Sequence, residues 1–304
     1  MLEPGVGVNN SFKVDLHCHT HFSDGKHDLS FLRTRALANG VSHLAITDHD
    51  CIDALIATQS DEGPELIPGV EISCALENIE VHVVGLCVNA RDQGLTTLLT
   101  QQQASRKTRI VRIDEKLQLQ GTQGLFETLT SAEAVAMTRS HVADFLVDRE
   151  VCTNRKKAFK KYLNKGGKLF VPAEWCSMAT AIDAIRSAGG IAVLAHPGRY
   201  PLKRTKLRRL IETFQILGGE ALEASYPNIA PEMKLFLEKL GSDFSLYLSC
   251  GSDFHDAAAR WTDVGKFPTL SLESEPRAVW RHPIWERYTG DNSKRCATFE
   301  YSSG

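Results

Sequence analysis

Short apolar runs recur along the chain, and several stop at a polar residue able to do chemistry. They are Val14 to His19, Val41 to Ile46, Ile67 to Val70, Val81 to Cys87, Ile191 to Ala195, Glu220 to Ser225 and Leu246 to Cys250. Runs this short, mostly rich in Val, Ile and Leu, predict seven buried strands. Helical patterns fall between them. Leu29 to Asn39 closes at Gly40, and Ala179 to Ala188 closes at Gly189 and Gly190, as C-caps do. Strand, loop and helix in alternation predict parallel βα units. Polar residues gathered at the C-terminal ends of such strands are what a barrel-like α/β enzyme presents at its active face.

The rhythm breaks between residues 89 and 167. Leu95, Leu98, Leu99, Ile110, Ile113 and Leu117 recur mostly at spacings of three and four, which predicts helix. Thr130-Ser131-Ala132-Glu133 reads as a capping box that starts another helix. Ser140 reads as the cap of the next, with Val142, Phe145 and Leu146 as its apolar face and His141 at its first position. A last helix runs from Asn154 to Leu163 and ends at Gly166-Gly167. The pattern predicts one barrel domain, 12–88 and 168–285, interrupted by a helical insertion at 89–167. Residues 1–11 read as a flexible lead-in and 286–304 as a disordered tail.

Composition changes this picture only in one respect. The 304 residues carry a net charge of -2, which gives no general affinity for polyanions. Between Arg106 and Lys168, however, 14 Lys and Arg face 7 Asp and Glu, a local +7 that leaves -9 for the remainder. The run Arg155 to Lys168, with Lys156, Lys157, Lys160, Lys161 and Lys165, is either a solvated helix face or a surface for nucleic acid. The eight cysteines are scattered without a C-x-x-C pair, so they predict reduced thiols. No apolar run approaches the length of a membrane span and the N-terminus lacks a signal-peptide pattern, which predicts a cytoplasmic protein.

Candidate chemistry is concentrated on the strands. Of eleven histidines, His17, His19, His49, His82, His196 and His255 fall on or near strand ends, together with the carboxylates Asp24, Glu71 and Asp253. His17 and His19 are two apart, so an extended backbone points both rings the same way. Imidazole with carboxylate and without thiolate suits zinc, manganese or iron. Nine such groups exceed one ion's needs, which predicts two or three divalent ions bridged by a carboxylate. Clustered dications serve phosphoester hydrolysis by lowering the pKa of a water and neutralising phosphate charge. Arg139, His141 and Arg199 are the candidate phosphate-binding and catalytic groups, His141 because a helix N-terminus favours anions.

Asp-Leu-His-Cys-His-Thr, Ser-Asp-Gly, Ile-Thr-Asp-His-Asp, Gly-Val-Glu-Ile-Ser, His-Val-Val-Gly-Leu, Ala-His-Pro-Gly-Arg-Tyr and Gly-Ser-Asp-Phe-His together resemble the polymerase and histidinol phosphatase (PHP) family. Within it the chain is similar, from about Lys13 to Trp285, to the 3′,5′-nucleoside bisphosphate phosphatases that also act as 5′ to 3′ exoribonucleases. That resemblance implies a distorted (β/α)7 TIM-like barrel with a trinuclear site. It implies His17, His19, Glu71 and Asp253 around one metal, Glu71, His82 and His196 around a second, and Asp24, His49 and His255 around a third, with Mn2+, Fe2+ or Zn2+ as the ion. His141, Arg139 and Arg199 would meet phosphate, with His141 also donating a proton to the leaving oxygen.

The implied reaction is in-line attack of water on phosphorus with expulsion of a ribose oxygen. It acts on nucleoside 3′,5′-bisphosphates such as adenosine 3′,5′-bisphosphate, or on short 5′-phosphorylated RNA, with no readout of duplex DNA and no membrane partner. A histidinol-phosphate-type phosphatase and a non-catalytic metal-binding module are the alternatives. Lys26 to Ser30 departs from the branch's usual helix start beside Asp24. Glu223 and Asp48 are expected to support the ligands, whereas Trp261 and Trp285 are expected to be packing residues.

Overall fold

The computed structural model describes residues 12–56, 63–77 and 79–290, so the lead-in at 1–11 and the tail beyond 290 lie outside the described residues. Eight strands form one sheet: β1 (Val14–Asp15), β2 (His43–Ile46), β3 (Glu65–Leu76), β4 (Ile79–Leu86), β5 (Cys176–Ser177), β6 (Ile191–Leu194), β7 (Ala221–Ser225) and β8 (Tyr247–Cys250). The spatial order is β1-β2-β3-β4-β6-β7-β8, with β5 alongside β3. The far edges nearly meet. Leu16 N–H donates to the Cys250 carbonyl at 3.1 Å, Asp253 N–H donates to His17 O at 2.7 Å, and Cys18 bridges Phe254. The result is a distorted TIM-like barrel.

Uniformly parallel pairing, expected from the alternation of strand and helix, fails at β4, which runs antiparallel to both β3 and β6. The other neighbours are parallel. The cause is local. No helix separates β3 from β4, so the chain reverses directly beside Glu77, which adopts a left-handed φ of 54°.

The helices are α1 (Leu29–Ala38), α2 (Asp53–Ile56), α3 (Gln93–Gln118), α4 (Leu125–Thr130), α5 (Arg139–Asp148), α6 (Arg155–Ala158), α7 (Met178–Ser187), α8 (Arg204–Ile216), α9 (Pro231–Asp243) and α10 (Pro283–Gly290). α1 starts where Asp28 accepts the Phe31 N–H at 2.8 Å, and Gly40 follows it at φ +72°. α6 continues into a single π-helical turn, Phe159–Leu163. Two helix starts differ from expectation. Thr130 ends α4 instead of opening a helix, because the Val135 and Ala136 N–H groups that follow donate to the Phe22 carbonyl. Thr138, not Ser140, caps α5, so His141 is its third residue. Residues 286–290, expected in the tail, complete α10. No described helix is long and apolar enough to cross a membrane.

Apolar side chains fall into three clusters. Val14, Leu16, Ile67, Val84, Leu86, Ile191 and Val193 form one, into which Val279 and Trp285 pack. The opposite strand faces, with Val70, Ile72, Val81 and Val83, meet α1, α7, α8 and α9. A separate small core holds Ile110, Ile113, Leu117, Val142, Phe145 and Leu146. α3 spans two of these, since Leu95, Leu98 and Leu99 pack with the barrel. Halfway along α3, Arg106 reaches back to Asp50, its Nε at 2.8 Å and Nη2 at 2.5 Å from Oδ2, and donates to Ser73 Oγ at 2.8 Å. Asp50 Oδ1 also accepts the Ser73 N–H at 2.8 Å. Arg106 and Arg109, two of the insertion's cations, are thus buried.

Candidate metal centre

The Cys18 bridge keeps the chain extended beyond β1. His17 and His19 therefore project together, their Nε2 atoms 3.2 Å apart. Glu71, fully buried on β3, faces both of them and three more imidazoles. Its Oε2 lies 3.3 Å from His17 Nε2, 3.3 Å from His19 Nε2 and 3.0 Å from His49 Nδ1. Its Oε1 lies 2.9 Å from His82 Nδ1 and 3.0 Å from His196 Nε2. Asp253 Oδ1 flanks one side, 3.5 Å from His17 Nε2 and 3.2 Å from His19 Nε2. Asp24 Oδ1 flanks the other, 3.2 Å from His255 Nε2 and 3.7 Å from His49 Nε2. All nine sequence-selected residues are thereby brought together.

The donor set fits metal ions on two grounds. Donors held about 2.0–2.2 Å from an ion stand roughly 3.0–3.5 Å from one another at tetrahedral or octahedral angles, and most of the spacings above fall in that range. In addition, Glu71 Oε2, Asp24 Oδ1, His49 Nδ1 and His196 Nδ1 are buried without a hydrogen-bond partner. Buried polar atoms of this kind are costly unless something else satisfies them. Donors lying within 4.8 Å of one another group as His17, His19 and Asp253, and as His19, Asp24, His49 and His255. The remaining two groups join Glu71 to His17 with His196, and to His49 with His82. His82 and His196 share Glu71 Oε1 but do not fall in one group.

The electrostatics point the same way. Burial would raise the Glu71 carboxyl, yet His49, His17 and His82 around it hold it well below the usual carboxylate range. Burial also works against charge on His82 and His255, but Glu71 and Asp24 beside them push these rings up to about 10 and about 9. Burial drives His49 the other way, well below an ordinary imidazole. The carboxylates thus draw positive charge into the centre of the cluster.

Supporting groups fix the donors. Both Glu223 carboxylate oxygens lie 3.3 Å from His17 Nδ1, and Oε2 accepts the His196 N–H at 2.6 Å. Asp48 accepts from Thr20 N–H at 2.7 Å and from Ser23 Oγ at 2.6 Å, holding the loop that ends at Asp24. Asp15, which opens the Asp-Leu-His-Cys-His-Thr motif but was given no role from sequence, accepts from Ser252 N–H at 2.8 Å and Gly265 N–H at 2.6 Å and so holds the Asp253 loop. A Cβ on Gly251 would fall 2.3 Å from His17 Cβ, which only glycine avoids. His196 and Asp253 occupy the left-handed region at φ 29° and 47°, a strain that clusters at functional sites.

The phosphate candidates stand around this centre. Arg199 is ion-paired with Asp253 and lies 5.0 Å from the Tyr226 ring centroid. Arg139 Nη2 lies 3.3 Å from Glu80 Oε1. His141 Nδ1 accepts the Thr138 N–H at 3.0 Å, and burial pushes this ring below an ordinary imidazole. Thr138 was not legible as a site residue. Its Oγ1 donates to Asp24 Oδ2 at 3.2 Å and so ties α5 to the cluster.

Known proteins resemble the chain over nearly its whole length. It is 38% identical over 280 residues to a 5′-3′ exoribonuclease from Haemophilus influenzae, covering 91% of this chain and 99% of that one. It is 35% identical to a 3′,5′-nucleoside bisphosphate phosphatase from Chromobacterium violaceum, covering 88% of this chain and 95% of the relative. A solved Chromobacterium violaceum structure described as an amidohydrolase with bound sulfate and no metal superposes with a TM-score of 0.82 at 32% identity, over 91% of this chain and 96% of that one. A family model described as the PHP domain matches residues 15–174. With the match covering more than half of the sequence, the chain belongs to the PHP domain family.

Proposed function

We propose that the chain is a metal-dependent phosphoester hydrolase acting on nucleoside 3′,5′-bisphosphates and on short 5′-phosphorylated RNA. The observation that carries this reading is Glu71, whose two oxygens are shared among five imidazoles between two flanking carboxylates. His17, His19, Glu71 and Asp253 would hold one ion, Glu71, His82 and His196 a second, and Asp24, His49 and His255 a third. Manganese is the ion to load first, with iron and zinc equally suited to imidazole and carboxylate. Such ions, when bound, supply an acidified water and neutralise phosphate charge.

The chain's own groups do the rest. Arg199 reaches the edge of the cluster and offers the guanidinium N–H groups that Asp253 leaves free. Arg139, on α5, is ion-paired with Glu80, whose Oε1 lies 4.0 Å from His82 Nε2. His141, with Nδ1 accepting the Thr138 N–H, carries its proton on Nε2 and can donate it toward a phosphate or leaving oxygen. Removal of a 3′-phosphate and release of a 5′-terminal mononucleotide are then one cleavage applied to different attached groups. We assign 12–88 and 168–285 to the catalytic barrel and 89–167 to substrate binding. Lys156, Lys157, Lys160 and Lys161 are exposed there, as an RNA-facing surface requires. A cytoplasmic location accords with substrates of this class.

Purified protein supplied with manganese should release phosphate from adenosine 3′,5′-bisphosphate and mononucleotides from 5′-phosphorylated RNA, with histidinol phosphate as the control. No product from either nucleotide substrate would refute the assignment, and preferential turnover of histidinol phosphate would replace it.

A further inference from the structure

A cavity of about 570 Å³ opens beside the cluster, lined by Arg199, Tyr226, Asn228, Ile229, Met233 and Trp261 among others. Its volume is that of a small-molecule site. Trp261 was expected to be a packing residue; 57% of it is exposed, in contrast to Trp285 at 2%. An exposed indole on a cavity wall suits a flat ligand.

Two features connect this cavity to the cluster. Arg199 is shared, ion-paired with Asp253 on one side and lying against the Tyr226 ring on the other. The loop following β8 is shared as well. It carries Asp253 and His255 near its start and Trp261 near its end, and Thr262 Oγ1 donates to the Ser252 carbonyl at 3.0 Å, drawing the loop's ends together. Trp261 is therefore held in fixed relation to Asp253. The wall also excludes bulk at Gly198, where a Cβ would fall 2.3 Å from the Tyr226 hydroxyl and 2.8 Å from Met233 Cγ.

We propose that this cavity seats the nucleobase of the substrate, stacked on Trp261 while Arg199 meets phosphate. The inference rests on the nucleotide reading above and adds to it a base-binding residue. The lining offers an indole, thioether and aliphatic groups, the Tyr226 phenol and the exposed Asn228 amide, with Arg199 as its charged member. Stacking of this kind tolerates every base, so adenine, guanine, cytosine and uracil are accommodated alike.

The test compares adenosine 3′,5′-bisphosphate with the base-free ribose 3,5-bisphosphate, using manganese-loaded enzyme and the variants Trp261→Ala, Trp261→Phe and Ala230→Phe. Ala230 lines the cavity and is exposed, so its variant narrows the space without disturbing the core. Trp261→Ala should lower kcat/KM on the nucleotide roughly tenfold to a hundredfold through KM, leaving the base-free substrate within about twofold. Trp261→Phe should recover most of the loss, and Ala230→Phe should reproduce it. Equal losses on both substrates would make Trp261 a structural residue and overturn the proposal. No loss on either would leave the base elsewhere and overturn it as well. Wild-type enzyme inert toward both compounds would instead count against the nucleotide reading itself.

Discussion

Replacing Arg106 by alanine strands a charge in the protein interior. Asp50 is 0% exposed, and its Oδ2 accepts from Arg106 through Nε at 2.8 Å and Nη2 at 2.5 Å. The guanidinium also lies 4.9 Å from the Trp175 ring centroid. Removing one partner of a buried pair leaves the other uncompensated and costs about 3–5 kcal/mol. At about 2–4 °C per kcal/mol for chains of this size, the thermal midpoint of Arg106→Ala should fall by roughly 6–20 °C, measured by calorimetry or circular dichroism. Asp50→Asn added to Arg106→Ala removes the stranded charge and should recover at least half of that loss, a coupling that independent sites do not show. Since Asp50 N–H donates to the Glu71 carbonyl at 2.9 Å, phosphate release should fall with stability in the single variant. A midpoint within 2 °C of wild type (a threshold of about 1 kcal/mol) would refute this reading and free Arg106 as a surface cation.

Asp253→Ala and His196→Ala should each lower phosphate release at least about a thousandfold, the several kcal/mol expected of a metal site, with circular dichroism unchanged; wild-type rates in either would sink the ligand assignment. Glu223→Gln keeps an oxygen for the His196 N–H but weakens the hold on His17, so a competition titration with a chromophoric chelator should show manganese bound about 10- to 100-fold more weakly. Lys156, Lys157, Lys160 and Lys161 changed together to alanine should leave bisphosphate turnover intact while cutting the log–log salt slope of RNA binding by up to about 3. An unchanged slope would return these lysines to a solvated face.

Much of the site was legible because its chemistry is carried by residue type at strand ends. His17 and His19 need only an extended backbone to converge, and Asp253 and His196 needed only their motifs to be noticed. Direction was not legible. The run Val81 to Cys87 announces a strand but says nothing of its sense, and β4 lies antiparallel because Glu77 turns the chain at once. β5 is two residues long and carries no periodicity. The Thr130 capping signal failed because a competing acceptor, Phe22 O, captured the amides that followed. Charge counting gave the insertion its +7 without seeing that Arg106 and Arg109 face inward. The exposure of Trp261 was not legible, because an indole in the sequence does not show how much of it meets solvent.

Among the contacts that join the insertion to the barrel are Arg106 to Asp50, Thr138 to Asp24, and the Val135 and Ala136 amides to Phe22 O. Each leaves an acceptor on the barrel side. A deletion that removed 89–167 and closed the gap with a short linker would leave these acceptors dangling, one of them a carboxylate of the cluster. Removing the segment without loss of stability therefore calls for compensating changes at Asp24 and Asp50.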